Sequence, residues 1–182
     1  MNEESMPKKS FSPDVRKYPT SGMMGSWAKG WEENIENEKD AESWFGGFER
    51  RFKKLGVEIR TSKVLEVGSG NSVYLDYLRK QGVDAVGVDA RPRGKTEGLP
   101  IVSARIEQLP FPESSFDVVL SNAVFDSGVY NQNHQLMLKE IARVLKHDGL
   151  YVATLNRTKE SIEELTLMSD PRDDLVSVFR RE

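Results

Sequence analysis

The run LEVGSGNSV at 65–73 places an acid, Glu66, two residues before the first glycine of Gly68-Ser69-Gly70. A Gly-x-Gly directly after a run of β-formers makes a bend without Cβ atoms, so a ligand can come close to the backbone. The helical pattern that follows offers free N–H groups at its start. Such a turn suits a nucleotide cofactor. Asp89 follows Gly70 by 19 residues, at the end of the next β-forming run, DAVGVD. A carboxylate there can accept hydrogen bonds from both hydroxyls of a ribose. The dinucleotide fingerprint G-x-G-x-x-G/A asks for a small residue at its last place, for close helix–strand packing. Val73 stands there, which weakens a nicotinamide reading. The other spacing, acid-x-G-x-G-x-G, is met from Glu66 onward except that Ser72 replaces the third glycine. A serine hydroxyl suits the first turn of a helix.

These residues need a frame that gathers strand ends. Period-two and short apolar runs predict strands at 63–67, 84–89, 99–104, 115–121 and 150–156. Between them, 71–82 reads as a helix with Tyr74, Leu75 and Leu78 inward and Gly82 as its stop. Residues 134–149 read as a second, with Leu138, Ile141, Ala142 and Leu145 on one face and Gly149 as its end. Short apolar strands alternating with helices predict an α/β fold: a doubly wound, mostly parallel sheet with helices on both faces. Right-handed crossovers put the strand C-terminal ends on one edge, where ligands of such sheets bind. Upstream, helices are expected over 26–38 and 40–55. In the second, Ala41, Trp44, Phe45, Phe48, Phe52 and Leu55 recur every three or four residues, a face suited to packing on the sheet. Residues 1–17 read as a flexible polar N-terminus, 18–60 as a helical cap or lid, and 61–182 as the main domain.

Composition narrows the function. The 182 residues carry a net charge of −3, against a broad nucleic-acid footprint. The local basic group Arg91, Arg93 and Lys95 reads first as a solvated loop. With no cysteine, thiolate chemistry, disulfides and Cys-ligated zinc are excluded; two histidines argue against a His-rich metal site, and no metal is expected. No apolar run reaches the length of a membrane span and the N-terminus lacks a signal-peptide core, so a cytoplasmic protein is expected.

Four stretches in order resemble the class I S-adenosylmethionine-dependent methyltransferases, in particular their compact single-domain type. They are LEVGSGNS, VGVDA, IEQLPFPESSFDVVLSNAVF and LKEIARVLKHDGLYVAT, which lie within 63–156. The resemblance implies a Rossmann-like methyltransferase fold and S-adenosylmethionine as cofactor. It implies that Glu66 lies near the cofactor's amino-acid end, with Gly68, Ser69 and Gly70 bending around it. Asp89, with Ala90 beside it, would take the ribose. The backbone of Ile106 or Glu107 would serve adenine. Ser121 and Asn122 would lie beside the methyl group, with Asn122 fixing an acceptor and Asp126 orienting or deprotonating it; a helix or turn cap is an equal reading of Asp126. Tyr18, Met23, Met24, Trp27 and Trp31 would fold over the strand ends as a lid. The acceptor is an unidentified small molecule or protein. No Asn-Pro-Pro-Tyr/Phe stretch of base and glutamine methylation is present.

The chain departs from the family pattern in three places. Arg105 stands where relatives often carry an Asp that meets the adenine amino group, and arginine only donates hydrogen bonds; it would stack on the base or point to solvent. Residues 90–98 are too short and too rich in Gly and Pro for a helix. The stretch after Asn156 offers a helix over 158–168 and one strand over 175–179, so an incomplete final hairpin and a shortened C-terminus are expected. These gaps leave a second reading, a catalytically degenerate fold that binds a partner. A nicotinamide-dependent oxidoreductase is a third, without a Tyr-Lys or His proton relay to support it.

Overall fold

The computed structural model describes residues 38–92, 97–122, 124, 133–154, 162–168 and 176–182. Among them, α1 spans Glu38–Lys54, β1 Lys63–Val67, α2 Val73–Lys80, β2 Asp84–Asp89, β3 Ile101–Ser103 and β4 Phe116–Asn122. α3 then spans His134–Val144, β5 Leu145–Thr154, β6 Leu165–Leu167 and β7 Val176–Arg181. Short 3-10 turns occupy Ile59–Thr61 and Ile106–Gln108. The strands form one sheet in the order β3-β2-β1-β4-β5-β7-β6. β1 lies between β2 and β4, parallel to both, with Val67 opposite Val88 on one side and Ser121 on the other. This is the expected doubly wound sheet, and the order reverses at β1, between β2 and β4. Ligands of such sheets sit outside that crossing.

β1 is buried on both faces from Val64 onward, as an interior parallel strand must be. Leu65 and Val67 pack on the side covered by α3, with Met137, Leu138 and Ile141. Val64, Val118 and Val152 pack on the other side, with α1 and α2. On α1, Ala41, Phe45 and Phe52 are buried, and Phe45 meets Tyr77 of α2 edge-on at 5.7 Å. These aromatic residues are core. α2 stops where Gly82 takes φ +79°: its N–H donates to the Arg79 carbonyl and the Val83 N–H to the Leu78 carbonyl. That pair of bonds closes a helix with a left-handed residue.

Two expectations are corrected. The helix expected to run to Gly149 ends at Val144, because Leu145 already pairs with Phe116. The N–H groups of Ser114 and Ser115 take the last carbonyls, those of Arg143 and Val144. The turn that follows needs its glycine: a Cβ on Gly149 would lie 2.7 Å from the Lys146 carbonyl oxygen. The final hairpin, expected to be incomplete, has both of its strands. β7 runs antiparallel between β5 and β6, and residues 165–167, expected in a helix, form the edge strand. The shortening is confined to β6, only three residues long. The expected helix at 26–38 and residues 158–161 of the one at 158–168 lie outside the described residues; the described part, 162–168, is a bridge, a turn and β6 rather than a helix. Among the described residues no helix is long and apolar enough to cross a membrane.

Candidate functional site

The bend after β1 sits at the C-terminal edge of the sheet. Gly68 and Ser69 both donate their N–H to the Val88 carbonyl, at 2.7 and 3.0 Å, which ties the loop to β2. Gly68 has φ +72°, and a Cβ there would lie 2.4 Å from Cγ2 of Val124, just past β4. Alanine does not fit, so the glycine is fixed by conformation and by space. Behind the bend, Glu66 is only 4% exposed, and its Oε2 has no hydrogen-bond partner. Burial pushes its carboxyl up to about 8, with the negative charge of Asp89 adding to the rise. A buried, underused acid is what a cationic ligand group would stabilise.

Asp89 closes β2 and faces the bend. Its Oδ2 accepts from the Gly70 N–H at 2.9 Å and its Oδ1 from the Arg91 N–H at 2.6 Å. Each oxygen keeps a further lone pair, as a ribose requires. Ala90 lies half-buried beside it. Ser72 occupies a left-handed conformation, φ +65°, at the start of α2. The expected cap by its hydroxyl is not made; Oγ is buried without a hydrogen-bond partner. The position demands the backbone of a glycine, and left-handed geometry turns the side chain away from the N–H groups of the first turn. Ser69 is buried too, its side chain against Gly87 of β2.

At the end of β3, the Ala104 N–H donates to the Asp89 carbonyl at 3.1 Å. The 3-10 turn of Ile106 and Glu107 thus begins directly beside Asp89. Arg105 Nη2 reaches Glu107 Oε1 at 2.6 Å. Burial opposes the charge on Glu107, but hydrogen bonds, that from Arg105 foremost, outweigh it and hold the carboxyl below its usual range. On β4, Ser121 is buried and its Oγ lies 2.8 Å from the Tyr151 hydroxyl. That pair belongs to the core side of the strand. Asn122 ends β4, half-buried and opposite Thr154. Asp126 and the aromatic lid residues lie outside the described residues. Among those described, no cluster of three or more metal-ligating side chains occurs.

A family model described as a methyltransferase domain matches residues 65–153 of this chain. The chain is 32% identical to a fatty-acid O-methyltransferase of Mycolicibacterium smegmatis over 118 residues, 59% of this chain and 42% of that one. It is 26% identical to the human EEF1A lysine methyltransferase 2 over 168 residues, 78% and 71% of the two chains. Among solved structures it resembles the Burkholderia thailandensis 1,6-didemethyltoxoflavin-N1-methyltransferase, with TM-score 0.58 and 18% identity over 87% and 84% of the chains. Residues 65–153 are thus similar to the methyltransferase domain, and the chain shares the fold of these enzymes. It spans less than half the length of several curated relatives it matches, the fatty-acid enzyme among them.

Three parts of this methyltransferase site are not apparent from motifs alone. Gly87, inside β2, leaves room for α2: a Cβ there would lie 2.8 Å from Leu75 Cδ2 and 3.1 Å from Ser69 Oγ. It does the packing that the dinucleotide fingerprint assigns to its last glycine. Val124 fills the space over Gly68. Thirdly, Arg143 of α3 donates to the carbonyls of Leu109 and Phe111, at 2.9 and 2.8 Å, and pairs with Glu140. Glu140 in turn accepts the Leu109 N–H at 2.8 Å. The segment after the 3-10 turn, Leu109 to Phe111, is thereby clamped to α3. The signal was present as Glu140 and Arg143 three apart in KEIAR, but only the fold shows what they hold.

Proposed function

We propose that this chain transfers a methyl group from S-adenosylmethionine to a small-molecule or protein acceptor. The observation that supports this best is the convergence of Glu66, the Gly68–Gly70 bend and Asp89 at one sheet edge. The residues fit the cofactor chemically. An orphaned buried carboxyl oxygen suits an ammonium, a cradle without Cβ atoms suits close approach, and a pinned carboxylate suits a diol. Ile106 and Glu107 would border the base. Bound there, S-adenosylmethionine supplies a methyl group on a sulfonium, whose leaving group needs no protonation.

The chain's own task is alignment and exclusion of water. Fixing two reactants in line removes much of an entropic barrier. Asn122, at the end of β4, would orient an acceptor by hydrogen bonds. A general base is required only for an acceptor that must first lose a proton, and Asp126 is the candidate for that. The relatives act on a fatty acid and on a protein lysine by their names, which leaves both acceptor classes for the screen.

The test is calorimetric titration of the purified chain with S-adenosylmethionine and with NAD. Binding of the first alone, lost in Asp89→Ala, supports the reading. Binding of neither, or of NAD alone, overturns it. An acceptor screen over fatty acids, small heterocycles and lysine-containing protein then follows.

A further inference from the structure

One corner of the sheet is left open at β6 and β7. On β7, Val178 packs beneath α1 with Ala41, Phe45 and Phe52. Side chains alternate along a strand, so Arg180 shares that face, as do Thr166 and Met168 of the neighbouring β6. The Glu182 N–H donates to the Glu164 carbonyl. That bond carries the same pairing one step further and sets both carboxylates on this face. α1 does not reach the corner: Glu164, Thr166 and Glu182 are exposed, and so is the apolar Met168, at 41%. The opposite face of β6 is closed, with Leu165 and Leu167 packed into the core. Four arginines among the described residues are half-buried: Arg105, Arg143, Arg180 and Arg181. Arg105 and Arg143 hold carboxylates, and Arg181 reaches carbonyls at the end of α3. Among the described residues no side chain or carbonyl pairs with the Arg180 guanidinium, nor any cation with Glu164 or Glu182.

A patch that carries one unpaired cation beside two unpaired anions is complementary to a copy of itself turned through a twofold axis. We propose that this corner is the interface of a symmetric homodimer. Arg180 pairs across the axis with the partner subunit's Glu164 and the partner subunit's Glu182, and Met168 is covered at the rim. The interface is independent of the cofactor site, since β6 lies three strands beyond β4 in the sheet. Resting on a few charge pairs at the surface, it is weak and sensitive to salt.

The experiment is sedimentation equilibrium of the full chain over roughly 5–300 µM, at about 50 and 500 mM sodium chloride. The wild type should dimerise in this range, about tenfold more weakly at the higher salt. Arg180→Glu makes the patch wholly acidic, and the double variant Glu164→Arg, Glu182→Arg makes it wholly basic. Each alone should self-associate at least about tenfold more weakly than wild type, because like charges then face each other. Mixed in equal amounts, the two should form a one-to-one heterodimer at least as tight as the wild-type dimer. Glu164 and Glu182 are exposed, so the basic variant keeps the test decisive if Arg180→Glu does not fold. A wild type that stays monomeric throughout, as it would if this corner served a different partner, overturns the assignment. So does a dimer that neither variant weakens, or a mixture of folded variants that stays monomeric.

Discussion

Replacing Glu66 by glutamine tests the burial of this acid directly. The carboxyl titrates at 4.5 in a free chain and at about 8 in the fold, with burial the leading cause and Asp89 the second. A raised acid pKa means that the fold prefers the neutral form. Its contribution is complete below pH 4.5, is lost as pH rises toward 8, and stays lost above that. Each pH unit in that window costs about 1.4 kcal/mol. By pH 7 the loss is about 3 kcal/mol, and by pH 8 somewhat over 4 kcal/mol. Glutamine has the same shape and no charge, so it mimics the protonated acid throughout. The assay is urea unfolding of both proteins at half-unit steps from about pH 5 to 8.5, the window set by the linkage. The Glu66→Gln protein should gain on wild type by about 3–4 kcal/mol across the range. Groups held low, such as Glu107 and Glu140, act in the opposite sense, lost as pH falls, but they occur in both proteins and cancel. Parallel curves, with a gap that changes by less than about 0.5 kcal/mol, would refute the claim that this carboxyl is buried and neutral.

The same acid should report on ligand binding. Calorimetry near neutral pH in buffers of different ionisation enthalpy should show close to one proton released as S-adenosylmethionine binds to wild type, and none for Glu66→Gln; no release by wild type would remove the ammonium from that carboxyl. Ser72→Gly should stabilise the fold by about 1 kcal/mol in thermal or urea melts, because it relieves a left-handed serine and removes a buried unpaired hydroxyl. Gly87→Ala should destabilise by about 1–3 kcal/mol, since its Cβ would press on Leu75 and Ser69; a neutral result would mean that α2 moves freely over β2. Arg143→Ala should cost about 2 kcal/mol in urea melts, discounted for its partial exposure, by releasing the Leu109 and Phe111 carbonyls from α3.

The sheet was legible because buried parallel strands are short apolar runs with few alternatives. KVLEV and DAVGVD form strands at the expected boundaries. Where local preference and distant pairing conflict, the sequence misleads. Lys146-His147-Asp148 continues a helical pattern, yet strand pairing at Leu145 and the turn at Gly149 break it. Residues 165–167 carry a weak pattern of either kind, and only β7 beside them makes them a strand. Within the site, Glu66, Gly68, Gly70 and Asp89 are adjacent in sequence to the turns they build, so their spacing reveals them. The Arg143 clamp joins residues more than thirty positions apart and has no local mark. Ser72 stands at the helix start, as its spacing suggests, but its handedness depends on the loop's closure onto β2.

Asp89 is held at both oxygens by backbone N–H groups of the two loops it joins. Its carboxylate cannot swing freely about χ2, so the torsional entropy that a ligand would otherwise have to freeze is surrendered during folding. Two lone pairs remain, at fixed directions, for a rigid cis-diol. A sugar that lacks one hydroxyl would leave one of them facing no donor, with no side-chain rotation to recover it. On the proposed role of Asp89, selectivity for an intact ribose would be set by the backbone of two turns, and substitutions that loosen either turn would lower it while leaving Asp89 itself in place.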